Sequence, residues 1–159
     1  MARTLVEKPS ETLPVARDQT CRTGSALPIS GLTYATRLRQ YRLAADNLAD
    51  ATQRTIIHSP DASLNVRGIL ISDQRVILDG AQSLDESSDL TYVKNGPGRL
   101  VFEAAVAKHV RFCAGTNGYA RAWVAGVDNV AASLGRTEST GTAALDIVDV
   151  EINLAFNGV

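Results

Sequence analysis

The side chains with the clearest capacity for chemistry lie in one basic segment. Arg37, Arg39 and Arg42 follow one another closely, and Tyr41 lies among them. Arginine presents a planar fork of N–H donors that suits phosphate groups, and a tyrosine ring can stack on a nucleic-acid base. These four residues are therefore the best candidates in the chain for a nucleic-acid contact. The interpretation that the sequence favours is an ordinary helix surface or a contact between subunits, because dedicated nucleic-acid-binding domains are usually basic and this chain has a net charge of −1.

Residues typical of catalytic or metal sites are few and widely separated. The chain has two histidines, His58 and His109, and two cysteines, Cys21 and Cys113. Their spacing is not that of a zinc site, and we interpret the cysteines as reduced thiols of a protein made in the cytoplasm. The sequence contains no phosphate-binding loop, dinucleotide-binding, zinc-protease or nucleophile-elbow motif. We therefore expect no enzyme activity, no catalytic residue, no cofactor and no bound metal.

One pair of carboxylates could still divide acid and base roles. Asp149 and Glu151 are two residues apart in a segment that alternates like a strand, so both side chains should lie on one face. The residues between and beside them are apolar. We therefore interpret the pair as the solvated face of a strand.

The composition is that of one globular domain with small core side chains. Of the 159 residues, 45% are hydrophobic and only 5% aromatic, whereas alanine alone occurs 22 times. A core of small aliphatic side chains buries less area per residue than an aromatic one, so we expect neighbouring copies to supply part of the burial. No uncharged apolar run approaches the roughly 20 residues that span a bilayer, so we expect no membrane partner.

The first thirty residues differ from the rest of the chain. They contain three of the five prolines, Pro9, Pro14 and Pro28. Because proline fixes φ and removes a hydrogen-bond donor, this stretch should be extended and should lie outside any sheet or long helix. We therefore divide the chain into an extended N-terminal arm at 1–30 and a single β-rich domain at 31–159. We expect the arm to be exchanged with neighbouring copies.

A helix is predicted at the start of the domain. Leu38, Tyr41, Ala45, Leu48 and Ala51 recur at three- and four-residue spacing, which favours a helix over residues 38–52. Alternation over residues 32–38 leaves a strand open for the beginning of this segment.

Strands are predicted for the remainder. The runs 64–71 and 75–79 indicate a hairpin, and Asn95-Gly96-Pro97-Gly98 indicates a turn between two strands. Residues 114–118 indicate a second turn. Residues 145–156 alternate most clearly and predict a final strand. Leu100–Cys113 fits a strand or a helix, and its β-branched and aromatic residues favour the strand slightly.

The fold class that follows is α+β, dominated by β structure. We expect an antiparallel sheet or sandwich of about six to eight strands, one or two helices and the extended N-terminal arm. The net charge also changes sign along the chain, positive in 1–59 and 93–136 and negative in 60–92 and 137–159. Such blocks can meet within one fold or can align one copy against another. Thirteen arginines against three lysines favour contacts between copies.

The chain resembles viral and bacteriophage structural proteins of the coat or tail type in general character. The resemblance is carried by the proline-bearing segment MARTLVEKPSETLPVARDQTCRTGSALPIS, the turns NGPG and AGTNG, and the final strand ending in EINLAFNGV. It implies a structural protein of the virion that assembles in the host cytoplasm into a shell or tube of many copies. The alternative is a small β-rich domain that binds a ligand or acts as an enzyme through a pocket without a recognisable motif.

Overall fold

The computed structural model describes residues 20–26, 38–49, 55–74, 77–79, 82–84 and 89–154. Within them the chain forms eleven strands and two one-turn 3-10 helices, Thr116–Gly118 and Val130–Ala132. The strands are β1 (Thr20–Ala26), β2 (Leu43–Asp46), β3 (Thr55–His58), β4 (Val66–Leu70), β5 (Ile77–Asp79), β6 (Gln82–Leu84), β7 (Asp89–Val101), β8 (Arg111–Ala114), β9 (Ala120–Ala122), β10 (Gly135–Thr137) and β11 (Ile147–Asn153). The predicted dominance of antiparallel β structure is confirmed, with more strands than expected.

Nine of the strands form one curled sheet. Their order is β1-β3-β2-β4-β7-β11-β10-β8-β9, while β5 and β6 pair with each other in a separate hairpin. Every pair is antiparallel except β1 with β3. Because β1 also pairs with β7, the strands β1, β3, β2, β4 and β7 form a closed circuit of pairings.

The long strand β7 belongs to both halves of the sheet. Its residues 89–95 pair with β1, and its residues 95–101 pair with β11. Immediately after β7, Phe102 forms an isolated bridge with Ala120 of β9. The strands β7, β11, β10, β8 and β9 therefore also curl back on themselves, and the main core lies inside this curl.

Aliphatic side chains and two phenylalanines fill that core. Phe102 and Phe112 are fully buried and meet edge to face, with ring centroids 5.9 Å apart. In β11, the side chains of Val148, Val150 and Ile152 are buried and alternate with more exposed neighbours. The predicted final strand is therefore confirmed.

The helix predicted over residues 38–52 is wrong for the part that the structure describes. Residues 43–46 form strand β2 between β3 and β4. Leu43, Ala44 and Ala45 are all buried, because β2 lies between two strands and against the core. A surface helix buries only one apolar stripe, so it would leave part of three consecutive residues exposed. Among the described residues the helices are the two 3-10 turns, so the α component of the predicted α+β class is not confirmed.

The predicted turn at Asn95–Gly98 is wrong, because these residues continue β7. Gly96 pairs with Ile152, and Pro97 pairs with Glu151. Pairing with β11 therefore continues through both residues and outweighs their tendency to form a turn. The predicted turn at 114–118 is confirmed, with Asn117 at φ 52°.

The predicted hairpin between 64–71 and 75–79 is also wrong. Strand β4 pairs with β2 and β7, whereas β5 pairs with β6. The residues predicted to turn between the two strands bind another segment instead. The Gln74 side chain accepts a hydrogen bond from the backbone N–H of Leu38 at 3.0 Å, and Asp73 accepts one from the N–H of Gln40 at 2.7 Å.

Leu100–Cys113 is neither one strand nor a helix. Residues 100–101 end β7, residues 111–113 belong to β8, and the stretch between them is irregular. The buried Thr137 side chain holds this stretch, since its hydroxyl donates to the Ala107 carbonyl at 2.7 Å and accepts from the Val110 N–H at 2.9 Å.

The predicted arm lies mainly outside the described residues. Its described part, residues 20–26, is strand β1, which pairs with β7 and β3 of the same chain. The expectation that residues 1–30 lie outside any sheet is wrong for this part, which contains no proline. The division into an arm at 1–30 and a domain at 31–159 stays a prediction.

Candidate functional site

The predicted basic segment forms a turn before β2. Arg37 lies outside the described residues, whereas Arg39, Tyr41 and Arg42 lie inside them. Tyr41 has a positive φ of 60°, its N–H donates to the Leu70 carbonyl at 2.8 Å, and its carbonyl accepts from the N–H of Val101 at 2.9 Å. The turn is therefore fixed to β4 and β7 through the backbone. The nucleic-acid contact assigned to these residues stays a prediction.

Arg42 has an aromatic partner that the sequence does not indicate. Its guanidinium carbon lies 4.0 Å from the centre of the Tyr119 ring, and Nη2 donates to the Tyr119 hydroxyl at 2.5 Å. Nη1 donates to the Asn117 carbonyl at 3.3 Å. The residues in these contacts are 75 and 77 positions apart. The sequence indicates only the nearby Tyr41 as an aromatic neighbour of Arg42, so it does not predict the contact with Tyr119.

His58 connects this turn to the loop at 115–119. Its Nε2 accepts the backbone N–H of Arg39 at 2.9 Å, and its side chain hydrogen-bonds with Asn117. Burial lowers the pKa of His58 to about 4, helped by the positive charges of Arg42 and Arg39 and opposed by the bond to Asn117. The imidazole is therefore neutral at pH 7 and accepts a hydrogen bond at Nε2.

Strand β9 carries a second polar cluster. Both Arg121 Nη atoms donate to the carboxylate of Asp128, at 2.7 and 2.8 Å, and Nε donates to Asp61 at 2.9 Å. The side chain of Asp128 is only 3% exposed, and it also accepts the N–H of Val124 at 2.7 Å. The hydrogen bonds from Arg121 lower the pKa of Asp128 to about 2, so it is ionised at any physiological pH.

The loop that this ion pair supports is apolar and exposed. We call residues 124–131 the valine loop. Val127 is 80% exposed and Val130 is 70% exposed. Asp128 holds the start of the loop through the N–H of Val124. The Asn129 side chain accepts a hydrogen bond from the N–H of Ala131 at 2.9 Å. The valine loop is thus held by specific polar contacts while its apolar side chains face solvent.

The remaining candidates for chemistry are dispersed. Asp149 is exposed and pairs with Arg99 at 3.2 Å, which agrees with the solvated strand face expected for it. Cys113 is a buried free thiol whose pKa is raised to about 11, mainly by burial. The part of the chain that the structure describes contains no group of three or more histidine, cysteine, aspartate or glutamate side chains able to hold a metal ion.

Sequence comparisons identify no family. No family model matches the chain, and no curated protein matches it. Among solved structures, the fold is similar to the head fiber gp8.5 N base of bacteriophage phi29, with a TM-score of 0.56 and 13% sequence identity. The similarity covers 86% of this chain and 96% of that chain. At this identity the similarity concerns the fold.

Proposed function

We propose that this protein is a structural component of a bacteriophage particle and that it acts as an assembly of several copies. The observation that carries the proposal is the similarity in fold to the head fiber base, which extends over nearly the whole of both chains. Fold alone does not determine function. The proposal therefore also depends on features of this chain that suit contacts between copies.

The valine loop is the first such feature. Its valines, three residues apart in the sequence, expose apolar side chains on a loop that Asp128 and Asn129 hold by hydrogen bonds. A fixed loop loses little conformational entropy when it is buried against a partner. Burying such side chains is favourable by roughly 25 cal/mol per Å² of apolar surface.

The finer form of the proposal is a shell or tube of many copies that assembles in the host cytoplasm and becomes part of the virion. The part of the arm that precedes β1, residues 1–19, would contact neighbouring copies, and the alternating charge blocks would align adjacent copies. This role requires neither a cofactor nor catalysis. In the described residues, no helix is long and apolar enough to cross a membrane.

The assembly state tests the proposal directly. We expect purified protein to elute in size-exclusion chromatography with light scattering at a multiple of its 16.9 kDa chain mass. Negative-stain images should show uniform particles, rings or tubes. A monomer at all concentrations up to about 100 μM, well above the range of most specific complexes, would contradict the proposal and would favour a small ligand-binding domain or enzyme.

A pair of serine substitutions tests the valine loop. We expect Val127→Ser combined with Val130→Ser to reduce the assembled fraction without lowering the melting temperature, because both side chains are exposed. Leu48→Ser is the matched control, since Leu48 is 67% exposed in a different loop. Equal assembly of the valine variant and the wild type would exclude this loop as the contact but not the assembly itself.

A further inference from the structure

The outer face of β9 displays a short row of aromatic and basic side chains. Side chains alternate along a strand, so Tyr119, Arg121 and Trp123 share one face while Ala120 and Ala122 pack towards the core. The indole N–H of Trp123 donates a hydrogen bond to the Asn129 carbonyl at 3.0 Å, which fixes the orientation of the ring. The row can be read in the sequence as YARAW.

Each aromatic ring of the row supports an arginine from another element. Arg42 lies against Tyr119, and the guanidinium carbon of Arg111 in β8 lies 5.5 Å from the centre of the Trp123 ring. A guanidinium stacked on a ring keeps its N–H groups at its edge, where they can reach a planar or tetrahedral anion. The ring contacts thus orient both cations before any ligand binds, and Arg42 Nη1 and Nη2, which donate to Asn117 and Tyr119, each have a second N–H for a ligand.

These two arginines differ from others in the described part of the chain. Arg67 pairs with Asp46, and Arg99 pairs with Asp149, so carboxylates of the same chain offset their charges. Arg121, in the middle of the row, is offset by Asp128 and Asp61. Arg42 and Arg111 contact rings instead, at the two ends of the row.

The local field supports a basic surface at these ends. Arg42 and Arg39 both lower the pKa of His58, after the larger effect of burial. At the other end, Arg136 of β10 is in register with Arg111, which places two exposed arginines side by side on the outer face. Glu151 of β11 follows Arg136 across the sheet, and Asp128 lies beside the Trp123 end, where it accepts from Arg121 and from the Val124 N–H.

The separation of the two ends favours a polymer over a single small anion. Tyr119 and Trp123 are four residues apart, which corresponds to about 13 Å in an extended strand. One nucleic-acid strand carries a phosphate at every nucleotide, so a backbone that follows the row places more than one phosphate along it. A polymer presents a separate phosphate to each end of the row, which one small anion does not.

We propose that the outer face of β9 binds the phosphate backbone of a nucleic acid. Arg42 and Arg111 contact phosphates, and the rings of Tyr119 and Trp123 hold the two arginines in place. Binding of this kind depends on salt and is largely independent of base sequence. The proposal is independent of the assembly proposed above, since a monomer could bind in the same way.

Fluorescence anisotropy with a labelled 20-nucleotide single strand and a 20-base-pair duplex tests the proposal. We expect the wild-type protein to bind at 50 mM NaCl and to lose affinity linearly on a log–log plot as salt rises. Combining Arg42→Gln with Arg111→Gln should weaken binding by roughly tenfold or more and reduce the magnitude of the salt slope by about two. Circular dichroism checks that the variant is folded.

Matched variants separate this site from general charge. Arg67→Gln removes one positive charge from an exposed arginine of β4, as each of the single variants Arg42→Gln and Arg111→Gln does at the row, and it should leave affinity within about twofold. Arg136 is exposed and lies beside Arg111, so Arg136→Gln should weaken binding by a smaller factor than the double variant. This single variant provides a second test if the double variant does not fold.

Three results would overturn the proposal. The first is the absence of binding by the wild-type protein at 50 mM NaCl, and the second is an equal loss of affinity in Arg67→Gln and in the Arg42 and Arg111 variants. The third is displacement of the oligonucleotide by poly-glutamate at equal charge concentration as effectively as by unlabelled DNA. That last result would assign the face to an acidic protein surface.

Discussion

His58 joins two loops that lie far apart in the sequence. It accepts the N–H of Arg39 on one side and bonds with Asn117 on the other, and both contacts position the turn that carries Arg42. Only the neutral imidazole can accept a hydrogen bond at Nε2. The position of Arg42 against Tyr119 therefore depends on the protonation state of this histidine.

This dependence predicts a loss of stability in mild acid. The folded pKa of about 4 lies below the ordinary histidine pKa of 6.5, so the unfolded chain binds more protons between these values. The stabilisation is present above pH 6.5 and declines as the pH falls towards 4, by up to about 3 kcal/mol. We expect His58→Gln, whose amide oxygen can still accept the Arg39 N–H, to lose less stability between pH 7 and pH 4.5.

Urea unfolding at the two pH values, followed by circular dichroism, measures the difference. His109→Gln provides the comparison, because it replaces the other histidine of the chain, whose side chain is exposed. An identical loss of stability in wild type and His58→Gln would show that His58 does not contribute to this pH dependence.

At the scale of strands, neighbouring segments decide more than local propensity does. The alternation in β11 predicts its burial correctly because one face meets the core and the other meets solvent. The same reasoning fails for β2, whose Leu-Ala-Ala sequence suits a helix but is buried between two strands. It also fails at Asn95–Gly98, where pairing with β11 overrides the turn residues.

The candidate site, like the strands, was predictable only in part from the sequence. Arg42 can be selected from the sequence because it lies in a cluster of arginines. Its partner Tyr119 cannot, since only the fold brings residues 77 positions apart into contact. The alternation in YARAW is the signal that could have indicated a polar face on β9.

The irregular stretch between β7 and β8 gives a prediction at the same scale. Thr137→Val keeps the shape of the side chain but removes the hydroxyl, so the Val110 N–H and the Ala107 carbonyl lose their hydrogen bonds to it. Unpaired buried groups of this kind cost about 1–3 kcal/mol. We expect the free energy of unfolding to fall by about this amount in a denaturant titration.

Thr137→Ser separates the hydrogen bonds from the packing. It keeps the hydroxyl and removes one buried methyl group, so we expect it to be destabilised by about 1 kcal/mol. If Thr137→Val is as stable as the wild type, the hydroxyl is not what holds this stretch to β10.

For the whole molecule, β1 connects the first residues of the chain to its sheet. It closes the circuit of five strands by pairing with β3 on one side and β7 on the other. Residues 1–19, outside the described part, precede this strand. The predicted arm thus includes a strand of the chain's own sheet, and the proposed exchange between copies concerns the residues before it.

Two deletions distinguish these parts. Deleting residues 2–19 keeps β1, so we expect an unchanged circular dichroism spectrum and melting temperature but a smaller assembled mass in light scattering. Deleting residues 2–28 also removes β1 and its pairings with β7 and β3, so we expect a loss of stability on the order of several kcal/mol. If the shorter deletion assembles like the full chain, exchange of the arm is wrong. If the longer deletion is as stable as the full chain, pairing with β1 contributes nothing to the fold.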